Sequence, residues 1–453
     1  MKKRILLFVP DGVGIRNYLY SDVFKHEQFE VVLLHDFPKI VIDDLALDLP
    51  IKSEIRVPSY REGIVEKFLR ELIHRVRIIR NVRTQDNPSI YRFWKRSGSG
   101  LTHRIFYGLI KGIAPLIRTY NGVLGLERRY TKSVKANSGY QAIKRQIEEL
   151  SVDQVFCTHQ RAIKATPVML AARELGLKTS TVIYSWDNLP KARLPFRADT
   201  YFLWSEVMVE HMQVFYPEIP REKLVISGSP QFEFYQNSEI IIDRELFFRQ
   251  NGLDPDRRII CFSGDDVRTS PYDPDYLRDL AQQVTDSGLN SEFQILLRRC
   301  PVDLSGRYQD VVSQFPDLIV EVPPKWREDV KEWSAVYPEK VDVGLLTNLA
   351  YHADVVVNLG STMAFDFGMF NKPCIFINYD QPHAQNWSVK AIYQYEHFRS
   401  MPAEDCVWWW NDKNGIIQLL NKVKAGDSTK IYNWYQVINT PGASENIQKA
   451  LLA

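Results

Sequence analysis

At 453 residues the chain is too long for one ordinary hydrophobic core and suits two domains of about 200 residues each. Its 45% apolar and 25% charged content is that of a folded globular protein and excludes a long disordered tail. Net charge is only +2, yet residues 51–150 hold 21 Lys and Arg against 8 Asp and Glu, so a strong positive excess is confined to one part of the first half.

The basic start, Lys2-Lys3-Arg4, leads into an apolar run at residues 5–10 that resembles a signal peptide. The run is short and Asp11 interrupts it, so a first buried strand is expected instead. Pro10-Asp11-Gly12-Val13-Gly14 follows, and without a third glycine it is no dinucleotide fingerprint. Asp11 is a candidate general base there, with Gly12 and Gly14 as a flexible loop against an acceptor. A turn-capping role for Asp11 is the plainer alternative.

After a second strand at residues 30–34 comes a helical insertion, about residues 61–150. Ile64, Val65, Phe68, Leu69, Leu72, Ile73, Val76 and Ile79 recur at helical spacing, while Arg70, Arg75, Arg77 and Arg80 fall on other faces. Two readings fit: a core-facing helix with a solvated charged face, or a basic helix docking on an anionic membrane. Nucleic acid is not expected as a partner, because the segment lacks interleaved aromatic platforms or a recognised motif. Residues 105–124 come nearest to a membrane span but contain Lys111 and Arg118, so no spanning helix is predicted.

Further β-branched, apolar runs at residues 154–157 and 181–184 complete the pattern of a parallel sheet covered by helices. His159 and Asp187 lie just after these runs and join Asp11 as candidate bases, one of the three being expected to serve. Arg161 and Asn188 beside them are assigned to the acceptor. Gly and Pro then punctuate Ser227-Gly228-Ser229-Pro230, placing a domain boundary there: residues 1–228 and 229–453.

Strand and helix alternation restarts with residues 259–262, 293–297, 318–322, 355–357 and 374–377. The expected architecture is therefore α/β, two Rossmann-like parallel-sheet domains facing a central cleft, with ligands at the carboxyl ends of the strands. Ser263, Gly264 and Asp265 follow the first strand of the second domain and are assigned to the donor, as is Arg298 at the end of the next. Asn358-Leu359-Gly360-Ser361-Thr362 reads as a tight turn into a helix, offering backbone N–H groups and two hydroxyls to a phosphate. Asp366, one helical turn on, is placed to accept from ribose hydroxyls. The plainer alternative makes Ser361 a helix cap and Asp366 a solvated first-turn acid.

The wider string, Phe365-Asp366-Phe367-Gly368 followed by Asn371-Lys372-Pro373-Cys374 and Asn378-Tyr379-Asp380, resembles the nucleotide-binding motif of the CDP-glycerol glycerophosphotransferase group and related bacterial surface-polysaccharide transferases of the GT-B type. Ser185-Trp186-Asp187-Asn188-Leu189, the segment around Gly228 and Thr440-Pro441-Gly442-Ala443-Ser444-Glu445-Asn446-Ile447 are similar to other parts of such enzymes. Two departures weaken glycerophosphate transfer: Cys300 stands where that group has His before Pro, and Ser185-Trp186-Asp187-Asn188 stands where it has Trp-His-Gly.

The resemblance implies an inverting, metal-independent glycosyltransferase acting on a nucleotide-activated sugar as co-substrate, with a cell-surface glycan or lipid-linked acceptor, in the cytoplasm or at the inner face of the membrane. A CDP-polyol phosphotransferase, a nucleotide-sugar 2-epimerase and a catalytically silent assembly partner are the alternatives. Five cysteines without a CxxC pair and nine scattered histidines give no expectation of a metal.

Overall fold

A computed structural model describes residues 2–45, 47–94, 98, 100–327 and 336–453. The chain divides into two compact units. The first comprises Met1–Pro230, Tyr395–His397 and Ile438–Ala453; the second comprises Gln231–Gln394 and Phe398–Val437. The main segment of the first unit ends at Pro230, and the chain returns to that unit twice.

The first unit is built on seven parallel strands: β1 (Lys3–Val9), β2 (Phe29–His35), β3 (Ile51–Arg56), β4 (Gln154–Cys157), β5 (Lys178–Val182), β6 (Thr200–Leu203) and β7 (Leu224–Ile226). Their spatial order is β3-β2-β1-β4-β5-β6-β7. Ile5, Leu6, Leu7, Phe8 and Val9 are fully buried, as a continuous apolar run in a sheet covered on both faces should be. Successive strands run outward from β1 in one direction and from β4 in the other, so a crevice opens between the carboxyl ends of these two strands.

The second unit repeats the plan with six parallel strands: β8 (Arg258–Ser263), β9 (Phe293–Arg298), β10 (Ile319–Glu321), β13 (Val355–Asn358), β14 (Cys374–Ile377) and β15 (Trp408–Trp410). The order is β10-β9-β8-β13-β14-β15, which puts its switch point between β8 and β13. A two-stranded antiparallel ladder, β11 (Trp326–Arg327) and β12 (Tyr337–Pro338), stands outside this sheet.

The basic insertion folds as helices Ile64–Gln85, Leu101–Ile113, Tyr120–Ala136 and Ser138–Glu149. Arg70, Arg75, Arg77 and Arg80 of the first helix do not form the solvated charged face of the first reading. Arg77, 1% exposed, donates from Nε to Glu127 at 2.8 Å and from Nη1 to the Phe215 carbonyl at 3.1 Å. Arg70 pairs with Glu62 and Glu71, Arg75 lies over the Tyr91 and Trp94 rings, and Arg80 lies over Tyr120. Ile64 and Val65, expected in the core, are exposed at the first turn of the helix. No helix among the described residues is long and apolar enough to cross a membrane.

Candidate functional site

The switch point of the first sheet gathers residues that the sequence holds far apart. Asp11 follows β1 and is held by accepting the Val13 N–H at 3.2 Å. His159 follows β4, and its Nδ1 lies 2.7 Å from Asp11 Oδ2, with both side chains buried. When Nδ1–H donates to the carboxylate, Nε2 is left as the basic nitrogen, so the pair can accept a proton from a bound hydroxyl. The Tyr184 ring centroid lies 5.6 Å from that of His159.

Gly14 is required by packing rather than by loop freedom: a Cβ there would lie 2.3 Å from Thr158 Oγ1. Thr158 itself is fixed by its bonds to the Phe8 carbonyl. The Gly12–Gly14 segment is thus a tight wall joining the ends of β1 and β4, and Gly12 is buried within it.

Asn188 Oδ1 accepts from Gln160 Nε2 at 3.2 Å and its amide donates to Asp187 at 2.8 Å, while Gln160 Oε1 accepts from Tyr184 N–H at 3.4 Å. Asp187 also pairs with Lys191. Burial opposes its ionisation, but the Lys191 ammonium, with the Asn188 hydrogen bond, outweighs that and holds the carboxyl well below the usual range. Such a carboxylate is a weak proton acceptor, which separates Asp187 chemically from the Asp11–His159 pair. Arg161 is half-buried with its pKa lowered by burial, and its Nε makes no hydrogen bond among the described residues.

Sequence reading missed Gln160, Lys191 and His397 at this site. Lys191 carried a signal, the i,i+4 spacing from Asp187, whereas His397 arrives from a segment more than 200 residues away and packs edge-on to Trp186 at 4.6 Å. Burial pushes the His397 imidazole down to about 3, so it is neutral.

In the second unit, the assigned donor residues also flank a switch point, between β8 and β13. Gly360 has φ +67°, and a Cβ there would lie 2.7 Å from the Phe398 ring. Asn358 holds the turn by accepting the Ser361 N–H at 2.9 Å, and Ser361 Oγ accepts from Met363 N–H at 3.4 Å. Ser361 and Thr362 are half-buried. The helix that follows, Met363–Gly368, has only six residues, so the dipole expected at its start is short. Asp366 is 4% exposed, which excludes the solvated first-turn acid.

Arg298, assigned to the donor, is paired within the protein through one nitrogen. Its Nη2 bonds both oxygens of Asp342, at 2.8 and 3.0 Å, and Asp342 also accepts from Lys325 N–H and Trp326 Nε1. This buried knot ties β9 to neighbouring chain through Nη2, while Nη1 of the same guanidinium makes no hydrogen bond among the described residues. Gly264 packs against the Tyr308 hydroxyl, 2.3 Å from where a Cβ would stand, so the close approach it permits is to protein. Ser263 is buried at the end of β8. Asp265 donates its N–H to Asp273 Oδ2 at 2.6 Å, and burial, then the neighbouring Asp273 and Asp266 charges, push its carboxyl up. A carboxyl that keeps its proton near neutrality can donate to a phosphate oxygen instead of repelling it.

Among the described residues, no three or more His, Cys, Asp or Glu side chains are grouped to hold a metal ion. Cys157, Cys261, Cys374 and Cys406 are buried free thiols, and Cys300 is half-buried.

With these geometries in place, comparison with solved structures defines the fold. S. aureus MnaA, solved with UDP, superposes with TM-score 0.51 at 11% identity over 98% of this chain and 94% of its own. UDP-GlcNAc 2-epimerase from Rickettsia bellii gives 0.50 at 11%, over 100% and 95%. A glycosyltransferase from Rickettsia africae gives 0.50 at 10%, over 100% and 93%. At such identities the likeness establishes the fold alone: two Rossmann-like parallel-sheet domains of the GT-B kind. None of these three belongs by name to the CDP-glycerol group. No protein-family model matches the chain, and no curated protein does.

Proposed function

We propose that this chain is a nucleotide-sugar-dependent glycosyltransferase in which His159, oriented by Asp11, is the general base. The observation that carries the reading is the buried 2.7 Å Asp11–His159 contact at the first unit's switch point. Asp11 fixes the ring tautomer and stabilises the imidazolium, and Nε2 takes the proton of an acceptor hydroxyl as it attacks the anomeric carbon. The nucleotide is assigned to the second unit, with Ser361 and Thr362 at the diphosphate, Asp366 at the ribose, and protonated Asp265 as a hydrogen-bond donor. Inverting transfer needs a single base, and one suitable pair is what this site supplies.

A second reading, nucleotide-sugar 2-epimerisation, is favoured over transfer by the names of the structural neighbours: the proteins from Rickettsia bellii and Listeria monocytogenes are both named as UDP-N-acetylglucosamine 2-epimerases, and S. aureus MnaA's UDP complex is compatible with either reading. Inverting a carbon by proton removal and return on opposite faces calls for two proton-transfer groups. Asp187, held ionised by Lys191, is a poor second one.

The test is turnover of UDP-, GDP-, CMP- and CDP-linked donors with and without acceptor. Transfer predicts acceptor-dependent release of nucleotide that falls about 100- to 10,000-fold in His159→Ala and is also reduced in Asp11→Asn, with donor affinity retained. Conversion of UDP-N-acetylglucosamine alone to its epimer would establish the second reading. Absence of binding to every donor, or full turnover by His159→Ala, would overturn the proposal.

A further inference from the structure

The helix Leu101–Ile113 turns toward solvent a face that water does not favour. Leu101, Ile105 and Leu109, each one turn from the next, are 73%, 54% and 53% exposed, and Leu116 just beyond is 71% exposed. Gly108 and Gly112 are also exposed, and a Cβ added at either would meet nothing within 4 Å. The inward side is apolar as well: Phe106 meets Phe68 edge-on at 5.7 Å, Tyr107 meets Trp94 at 6.1 Å, and Ile110 is fully buried. A helix apolar on both sides is one whose second side awaits an apolar phase.

Its charges have one sign. Arg104 and Lys111 are exposed on the helix, Arg118 follows it, and Lys67 of the neighbouring helix sits 5.8 Å from the Phe106 ring centroid. Between Asp86 and Glu127 there is no acidic residue, while six Lys and Arg occur. Exposed aliphatic side chains ringed by cations without carboxylates are the complement of an anionic lipid surface, where the chains enter the acyl boundary and the cations meet headgroup phosphates.

We propose that the outward face of Leu101–Ile113 docks this protein on an anionic membrane. A second copy of the chain fits less well, because two-fold pairing of this face would bring Arg104 and Lys111 against their own counterparts. Most arginines of the adjoining helix Ile64–Gln85 are engaged internally, so the docking surface is this one face and not the insertion as a whole. The same adjoining helix bonds the site loop, through His74 to the Lys191 carbonyl at 2.9 Å and Asn81 to the Pro190 carbonyl at 3.3 Å. The inference goes beyond the catalytic proposal and does not depend on it.

Co-sedimentation of the full chain with vesicles of phosphatidylcholine, and of phosphatidylcholine mixed with phosphatidylglycerol, tests it directly. Wild type should partition to the mixed vesicles and only weakly to the neutral ones. Leu101→Ser, Ile105→Ser and Leu109→Ser together should reduce that partitioning at least about 100-fold, with an unchanged melting temperature because the replaced side chains are exposed. Arg104→Glu with Lys111→Glu, a variant that leaves the apolar chains in place, should weaken binding by at least about fivefold per site. Equal sedimentation of wild type with and without anionic lipid, undiminished binding by the triple serine variant, or a dimer in light scattering that this variant dissolves would each overturn the proposal.

Discussion

A histidine kept neutral by burial beside a carboxylate that is kept ionised makes the site's stability depend on pH. His397 is held at about 3 by burial, against an ordinary value of 6.5. Above pH 6.5 neither the folded nor the unfolded chain carries its proton. As pH falls below 6.5 the unfolded chain binds a proton that the folded one refuses, so stability is lost at about 1.4 kcal/mol per pH unit until about pH 3. Urea unfolding of the first unit at pH 7.5 and pH 5 should show this loss in wild type, and His397→Gln should remove about 2 kcal/mol of the difference. An identical pH dependence in the variant would mean that His397 is protonated when folded. Sequence alone could place Asp11, His159 and Asp187 at strand ends, but not their partners. Asp11 and His159 are 148 positions apart, and only the strand order β1-β4 makes them neighbours.

Elements with a strong period were legible, and those defined by distant partners were not. The boundaries of β4 and β14 coincide with their apolar runs, because a short buried strand between polar loops has no competing reading. β3 was missed because Ile51–Arg56 alternates half-buried and exposed residues at the sheet edge, and β15 because three successive tryptophans carry no clear strand signature. The helix Ile64–Gln85 was legible, but not the role of its arginines, since Glu127 and Glu218 lie on other elements. Arg77, whose guanidinium also stacks 4.4 Å over Tyr216, clamps that helix to Tyr120–Ala136. Arg77→Met should destabilise the first unit by about 3 kcal/mol in urea unfolding, part of it from Glu127, which is left with Arg197 alone at 2.7 Å. Adding Glu127→Gln should restore part of that loss, and a double variant no more stable than the single would assign the cost to packing instead.

At the scale of the whole molecule, the first unit is completed by the end of the chain. Thr440 N–H bonds the Trp204 carbonyl at 2.9 Å, Asn439 Oδ1 accepts the Ser229 N–H at 2.8 Å, and Lys3 Nζ and Gln154 Nε2 bond the carbonyls of Leu452 and Leu451. Ala443, Ile447 and Leu451 of the last helix, Ala443–Leu452, are buried, and burying the two larger side chains contributes roughly 3–6 kcal/mol. That is a large part of the 5–15 kcal/mol typical of a domain. Deleting residues 439–453 should therefore open the sheet bearing Asp11 and His159 to limited proteolysis, while fragments of the second unit persist, as mass spectrometry would show. Gly228→Ala should act in the same direction from inside the chain. Gly228 adopts φ +81°, and a Cβ there would stand 1.9 Å from the Thr440 carbonyl oxygen, so the segment must move away for the side chain to fit. Equal protease resistance of both units in the truncated chain would show that the first unit folds without its C-terminal helix. The sequence punctuation at Ser227-Gly228-Ser229-Pro230 reads as a boundary between domains; in the structure the returning chain at Thr440 passes directly against its glycine.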